Sequence, residues 1–325
     1  MPWRFSDSPK EGSELLSCKH ITTVQDMTAE DIAKILDTAE SFIEVSERTI
    51  KKLPTLRGRT IINLFLEPST RTRTSFEIAA KRLSADAINM TGSASATVKG
   101  ESLRDTAKTL SAMACDLVVV RHAYAGAAQI LAECMDSHVV NGGDGKHQHP
   151  TQALLDLFTM RTHLGRLAGL KVGIIGDIAH SRVAGSLIPA LRLMGASVVV
   201  VAPPTLMPSR PDVLGAEVSY SLDEVLPDLD VAYMLRIQSE RSDRMPFPSL
   251  REYARFYGLN SARLASMKPE AIVMHPGPIN RGVEISSAVA DSPRAVILDQ
   301  VTAGVAVRMA VMYLLLGGVD VESAS

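Results

Sequence analysis

Phe65-Leu66-Glu67-Pro68-Ser69-Thr70-Arg71-Thr72-Arg73-Thr74-Ser75-Phe76-Glu77 joins an apolar run to a helical pattern. The run that leads into it, Thr60-Ile61-Ile62-Asn63-Leu64-Phe65-Leu66, is short and rich in β-branched residues, which predicts a buried strand. Pro68 ends that strand and Ser69 suits an N-cap. Phe76, Ala79, Ala80 and Leu83 then recur at the spacing of one helix face, and Glu77 and Lys81 pair four residues apart. Ser69, Thr70, Arg71 and Thr72 thus meet the unpaired N–H groups and the positive dipole end of a helix start, with hydroxyls and a guanidinium added. Such a corner binds anions, phosphate above all. Taken alone, the stretch fits equally well an ordinary capped helix whose arginines face water.

Outward from this stretch the chain alternates strands and helices. Thr28 with Asp31 resembles a capping box that opens a helix to Ile43. Ala87-Ile88-Asn89-Met90 is a weak strand, followed by a Ser, Gly and Thr rich segment from Thr91 to Ser102 that carries Ser95 and Lys99. A helix is expected around Leu103–Met113, then a buried strand, Asp116 to Val120, that ends in Arg121-His122. His138-Val139-Val140 runs into Asn141 to His149, and Pro150 suits the first position of a helix with Gln152 in its first turn and Leu154, Leu157 and Phe158 inward. The second half restarts with Leu170 to Asp177, a helix from Ser181-Arg182-Val183 to Leu193, and strands at Ser197–Val201, Asp230–Leu235 and Ala271–Met274. Arg236-Ile237-Gln238 and His275-Pro276-Gly277-Pro278 follow the last two strands, and a helix from Thr302 to Leu316 closes the chain.

This order predicts an α/β protein with two domains, each a parallel sheet flanked by helices. The expected layout is a first domain over 1–150, joined by the C-terminal helix at about 302–318, and a second over 151–301. A Rossmann-like fold is implied without its dinucleotide motif, because Ile178 and Ser181 stand where GxGxxG needs glycine after Gly176. Ligands of such sheets bind beyond the carboxyl ends of the strands, where this chain repeatedly places polar residues. Arg71 and Arg121 in the first half, with Arg182 and Arg236 in the second, point to two anionic ligands: a phosphate compound and a carboxylate compound.

With 46% hydrophobic and 22% charged residues over 325 positions, the chain reads as globular and long enough for two cores. A net charge of -2 offers no general attraction to nucleic acid or to an anionic membrane. Arg308 interrupts the apolar Val301–Gly318 stretch, which favours a buried helix over a span. Cys18, Cys115 and Cys134 form no CxxC pair, so a reducing cytoplasm is expected. Asp144, His147 and His149 have a spacing a metal could use, but no further ligand cluster supports one, and neither a metal nor a cofactor is expected. No Ser-His-Asp order, HExxH or Walker A pattern appears. Positioning and charge stabilisation remain as the chemistry.

Ser69-Thr70-Arg71-Thr72, Arg121-His122, His149-Pro150-Thr151-Gln152 and the His275-Pro276-x-Pro278 turn together resemble the motifs of the aspartate/ornithine carbamoyltransferase family, over most of the chain from about Leu16 to Leu316. The resemblance implies carbamoyl phosphate as donor, bound by Ser69, Thr70, Arg71, Thr72, Ser95, Arg121, His149, Gln152, Pro276 and Gly277. It implies catalytic roles for Arg71, Thr72, Lys99, Arg121, His149 and Gln152, with Thr72, Arg121 and His149 near the carbonyl oxygen that gains charge. Lys99, Arg182, Arg236 and Gln238 would hold the carboxylates of L-aspartate, with Lys99 and Ser95 coming from a neighbouring subunit of a homotrimer. Departing phosphate would take the amine proton, since no side-chain base is evident. The segment from Tyr233 to Arg241 supplies arginines where an ornithine site needs an acid, and Pro276 replaces the cysteine of ornithine enzymes. Gly277 stands where many relatives have leucine; this variant resembles enzymes that assemble with a dihydroorotase-like partner, so such a partner or a regulatory one is expected. A transferase of the pyrimidine pathway is therefore expected, against two alternatives: a carbamoyltransferase for another amino acid such as ornithine, and a non-catalytic partner-binding relative.

Overall fold

The computed structural model describes residues 16–92, 101–237 and 249–317. Its first half runs α1 (Ala29–Glu47), β1 (Thr60–Phe65), α2 (Thr70–Arg82), β2 (Asp86–Thr91), α3 (Leu103–Ala112), β3 (Leu117–His122), α4 (Ala127–Cys134), β4 (His138–Asp144) and α5 (Pro150–Leu164). The second runs β5 (Lys171–Ile175), α6 (Arg182–Leu193), β6 (Ser197–Val201), β7 (Glu217–Ser219), α7 (Leu222–Val225), β8 (Val231–Met234), α8 (Leu250–Tyr257), α9 (Ser261–Ser266) and β9 (Ile272–Met274). Two more helices follow, α10 (Ser287–Ala290) and α11 (Ile297–Leu316).

All strand pairings within the two sheets are parallel. The first sheet has the order β2-β1-β3-β4 and the second β7-β6-β5-β8-β9. Each order reverses direction at one place, between β1 and β3 in the first sheet and between β5 and β8 in the second. Chains leave those neighbouring strands towards opposite faces, which opens a crevice at their carboxyl ends. Leu66 N–H still donates to Arg121 O (2.9 Å) and Leu235 N–H to Ile175 O (2.7 Å), so each crevice begins right after the last ladder bond.

Local chemistry explains the elements. Thr28 and Asp31 form the reciprocal capping box at the start of α1. Phe76, Ala79, Ala80 and Leu83 are buried as the helical period of α2 requires, and Lys81 pairs with Glu77 at 2.6 Å on its outer side. The core strands of both sheets are covered on both faces, so their sequences read as continuous apolar runs. One core extends from α1 and β1 through α5 and α11 to β5 and α6; smaller ones fill the outer faces of each sheet. α5 is buried along most of its length, and truncating a residue such as Leu157 there would cost about 2–5 kcal/mol.

The closing helix begins at Ile297 and not at the expected Thr302. Its first turn exposes Leu298 and Val301 to solvent while Gln300 points inward, so apolar periodicity does not mark its start. α11 is long and apolar enough to cross a membrane by composition, yet it packs against α1, α2 and α5 of the first half. Arg308, the residue that interrupts its apolar pattern, is buried over the Phe76 ring (4.8 Å) and donates to Ser75 Oγ (2.8 Å).

Candidate active site

At the switch point of the first sheet, the β1–α2 corner presents the Ser69–Thr72 stretch. Ser69 occupies the N-cap position as expected, but its hydroxyl makes no capping bond. No acidic residue lies in the first turn of α2, where Arg71 is exposed and Thr72 half-buried. A cation at that end opposes the helix dipole, an arrangement that suits an anionic ligand seated between them.

Arg121, at the end of β3, donates to Gly142 O (3.0 Å) and to Glu67 Oε1 (2.9 Å). Arg182, at the start of α6 in the other half, reaches the same carboxylate, with Nη2 at 2.8 Å from Oε2 and 3.1 Å from Oε1. Glu67 therefore joins the two switch points. Gly143 has a positive φ of +118°, and a Cβ there would lie 2.7 Å from Arg121 Nη1 and 2.9 Å from Arg182 Nη1. Only glycine lets these two guanidinia converge. Asn141 holds this end of β4 by accepting from Gly143 N (2.7 Å) and donating to Asp144 Oδ1 (2.7 Å). Asp144 also accepts from Gly126 N and from Gln148 N, so its role is to brace the loop. His147 contacts Asp144 at 3.0 Å, and no group of three potential metal ligands occurs among the described residues.

His149 is buried at the N-cap of α5, and its backbone N–H donates to Ser186 Oγ of α6 (2.6 Å). Burial first, then the charges of Arg121, Arg308 and Arg182, push its pKa well below the ordinary value. The ring is neutral, and neither nitrogen has a protein partner among the described residues. A neutral imidazole beside arginines can donate to a carbonyl oxygen without itself carrying charge. Gln152, in the first turn of α5, donates through Nε2 to Asp156 Oδ1 (3.1 Å).

The second switch point contributes Arg236, two residues beyond β8. Burial first, then the charge of Arg236, lowers the pKa of Arg71. The turn after β9 completes the wall. His275 Nδ1 accepts from Gly277 N (2.8 Å), which puts the ring proton on Nε2, facing Glu284 Oε1 at 3.1 Å. Gly277 has φ +65°, and a Cβ on it would stand 2.8 Å from Arg71 Nη1. The Pro276-Gly277 turn is thus packed directly on the phosphate corner.

Arg71, Thr72, Arg121, His149, Gln152, Arg182, Arg236, Pro276 and Gly277 all lie on elements that open towards this crevice. Ser95, Lys99 and Gln238 lie outside the described residues. Glu67, Asp156, Tyr233, Gln300 and Arg308 support the site although no motif marks them for it. An acid standing one residue before Pro68 at a cation-rich strand end is the available signal for Glu67.

Cations gathered at the switch points of both sheets define a crevice suited to anionic ligands. The aspartate/ornithine carbamoyltransferase carbamoyl-P binding domain matches residues 19–162, and the Asp/Orn binding domain of the same family matches residues 168–315. The chain belongs to the aspartate/ornithine carbamoyltransferase family. It is 59% identical to an aspartate carbamoyltransferase catalytic subunit from Syntrophotalea carbinolica, over 94% of this chain and 98% of that one. A Trypanosoma cruzi aspartate transcarbamoylase solved with carbamoyl phosphate and aspartate superposes with TM-score 0.83 at 32% identity, covering 92% of this chain and 97% of that one. An ornithine carbamoyltransferase from Pyrococcus furiosus reaches the same TM-score, 0.83, at 30% identity, covering 94% of this chain and all of that one (100%). The fold is therefore common to both branches, and the acceptor must be read from sequence identity and side chains.

Proposed function

We propose that the chain transfers the carbamoyl group of carbamoyl phosphate to the amine of L-aspartate, giving N-carbamoyl-L-aspartate and phosphate, a step towards pyrimidines. The observation that carries the acceptor is the pair Arg182 and Arg236 at the second switch point, cations suited to carboxylates. Asp177, the acid at the end of β5, is bonded to the His180 ring and N–H, so it is held by its own loop.

Phosphate sits at Ser69, Thr70, Arg71 and Thr72, with Arg121 beside it. The aspartate nitrogen attacks the carbonyl carbon, and the oxygen gains negative charge against Thr72, Arg121 and the His149 ring. The bond from carbon to the phosphate oxygen then breaks, and the phosphate leaves with the proton that the amine loses. Gln152 and the carbonyls of Pro276 and Gly277 accept from the carbamoyl amino group and the incoming amine. The neutral state of His149 supports a donor role in place of an acid role.

The working unit in this proposal is a homotrimer in which Ser95 and Lys99 reach the site of a neighbouring subunit; the family resemblance of the chain as a whole supports it. Three unpaired cysteines support a cytoplasmic location. Glycine at 277 supports assembly with a dihydroorotase-like partner. A panel of amino acids offered with carbamoyl phosphate tests the acceptor. Phosphate release with L-aspartate and none with ornithine is expected, and the reverse would overturn the assignment.

A further inference from the structure

Asp156 lies one helical turn after Gln152 on α5 and is fully buried. Three side chains from three elements donate to it. Its Oδ1 accepts from Gln152 Nε2 (3.1 Å) and from Gln300 Nε2 of α11 (2.8 Å), and its Oδ2 accepts from the Tyr233 hydroxyl of β8 (2.7 Å). The orientation of Gln300 is fixed independently, because its amide oxygen accepts from the backbone N–H of His275 (2.9 Å). An oxygen that meets only donors turns each amide NH2 group towards itself. For Gln152 this leaves the amide oxygen as the end directed away from Asp156, and that oxygen has no protein partner among the described residues.

A carbamoyl amino group offers only N–H donors, so the site needs an oxygen facing it. A glutamine presented with its NH2 group first would oppose the substrate. Through Gln300, the same carboxylate also holds the backbone N–H of His275, the residue that leads into the Pro276-Gly277 turn. We propose that Asp156 is a positioning residue that sets the polarity of the carbamoyl site, turning the Gln152 amide oxygen to the substrate amino group. The assignment rests on the carbamoyl-transfer reading of the crevice.

The test uses the full chain and steady-state turnover of carbamoyl phosphate with L-aspartate at about pH 8.5, where Asp156, pushed up to about 7 mainly by burial, is ionised. Asp156→Asn keeps the shape but sets an NH2 group against the bonded donors, and kcat is expected to fall about a hundredfold with a raised KM for carbamoyl phosphate. Adding Gln152→Glu to that variant restores an acceptor towards both the new amide at position 156 and the substrate, with the total charge of the wild type. Activity within about tenfold of wild type is the expected result. Gln152→Glu alone sets two carboxylates together and should be less active than the double variant, a comparison that holds even if Asp156→Asn alone does not fold. Tyr233→Phe disturbs the same buried group without reversing its polarity and should lose far less activity than Asp156→Asn. A folded double variant no more active than Gln152→Glu alone, or a Tyr233→Phe loss as deep as that of Asp156→Asn, would overturn the proposal. Wild-type turnover is measured alongside, so failure of the functional reading shows in the wild type and failure of the polarity assignment only in the variants.

Discussion

The Glu67 carboxylate of the β1–α2 corner pairs with the Arg182 guanidinium of α6 at 2.8 Å, tying the switch points of the two sheets together. Because Arg121 shares that carboxylate at 2.9 Å, one acid spaces two cations that both serve the crevice. All three side chains are largely shielded from solvent, so the bonds are stronger than surface pairs. Glu67→Gln keeps the shape and removes the charge. It is expected to cost about 2 kcal/mol in chemical unfolding and to raise the KM for L-aspartate more than that for carbamoyl phosphate. Unchanged unfolding and unchanged KM for aspartate would show that the bridge is dispensable.

Arg71 is exposed at the start of α2 and forms no ion pair or hydrogen bond with described residues, so its removal should leave the fold intact. In the proposed reaction its guanidinium meets the transferred phosphate, and loss of a cation there removes about 3–4 kcal/mol of transition-state stabilisation. Arg71→Ala should therefore lower kcat by a factor on the order of 10²–10³ with a thermal midpoint like the parent's. A wild-type kcat in that variant would remove the phosphate assignment.

Gly277 combines a positive φ of +65° with close approach of the Arg71 guanidinium to the place a Cβ would take. A side chain there meets both problems at once. Gly277→Ala should cost about 1–2 kcal/mol of stability from backbone strain and should displace Arg71, raising the KM for carbamoyl phosphate. The two effects separate when Gly277→Ala is combined with Arg71→Ala: the stability cost should persist while the change in KM disappears.

The fold was legible where periodicity and strand ends carry it. Phe76, Ala79, Ala80 and Leu83 mark α2 because a buried helix face repeats every three or four residues, and Arg121, His149, Arg182 and Arg236 stand out because they follow apolar runs. α4, α8 and α9 are not legible because runs of six to eight residues are too short for a helical period to declare itself. The polar supports are hidden for a different reason. Glu67 meets Arg182 across 115 positions and Asp156 meets Gln300 across 144, so their partners are set by sheet topology and by the return of α11. An acid in a helix pattern looks solvated until the chain that covers it is known.

Two buried groups should shape stability in opposite directions as pH changes. His149 has a folded pKa well below 6.5, so the unfolded chain binds the extra proton and stability falls as pH drops below about 6.5. Asp156 is pushed up to about 7, mainly by burial, from an ordinary value of 3.8, so the folded chain holds the extra proton between those values and stability falls as pH rises towards 7. Their contributions oppose each other just below about pH 6.5, each with a limiting slope of about 1.4 kcal/mol per pH unit. His149→Gln should leave the Asp156 slope exposed, with stability decreasing from about pH 5 to 6.5, whereas Asp156→Asn should show the reverse. Urea unfolding at half-unit steps of pH reads both, and parallel slopes in the two variants would contradict the assignment.

Sharing of sites between subunits yields to complementation. In the proposed homotrimer, Lys99 serves a neighbour's crevice while Arg71 serves its own. A chain carrying Lys99→Ala has an intact Arg71 corner, and a chain carrying Arg71→Ala has an intact lysine to lend it. Each variant alone should be inactive. When the two are unfolded together and refolded, some interfaces should pair the undamaged Arg71 corner with the undamaged Lys99 segment, and activity should return to roughly a quarter of the wild-type value on random assortment of unlike neighbours. The count follows from geometry: a productive site needs a Lys99→Ala chain supplying the corner and an Arg71→Ala chain supplying the lysine, each drawn with even odds. Full exchange, verified by a charge-tagged chain on a native gel, with no recovered turnover would place Lys99 in its own subunit's site.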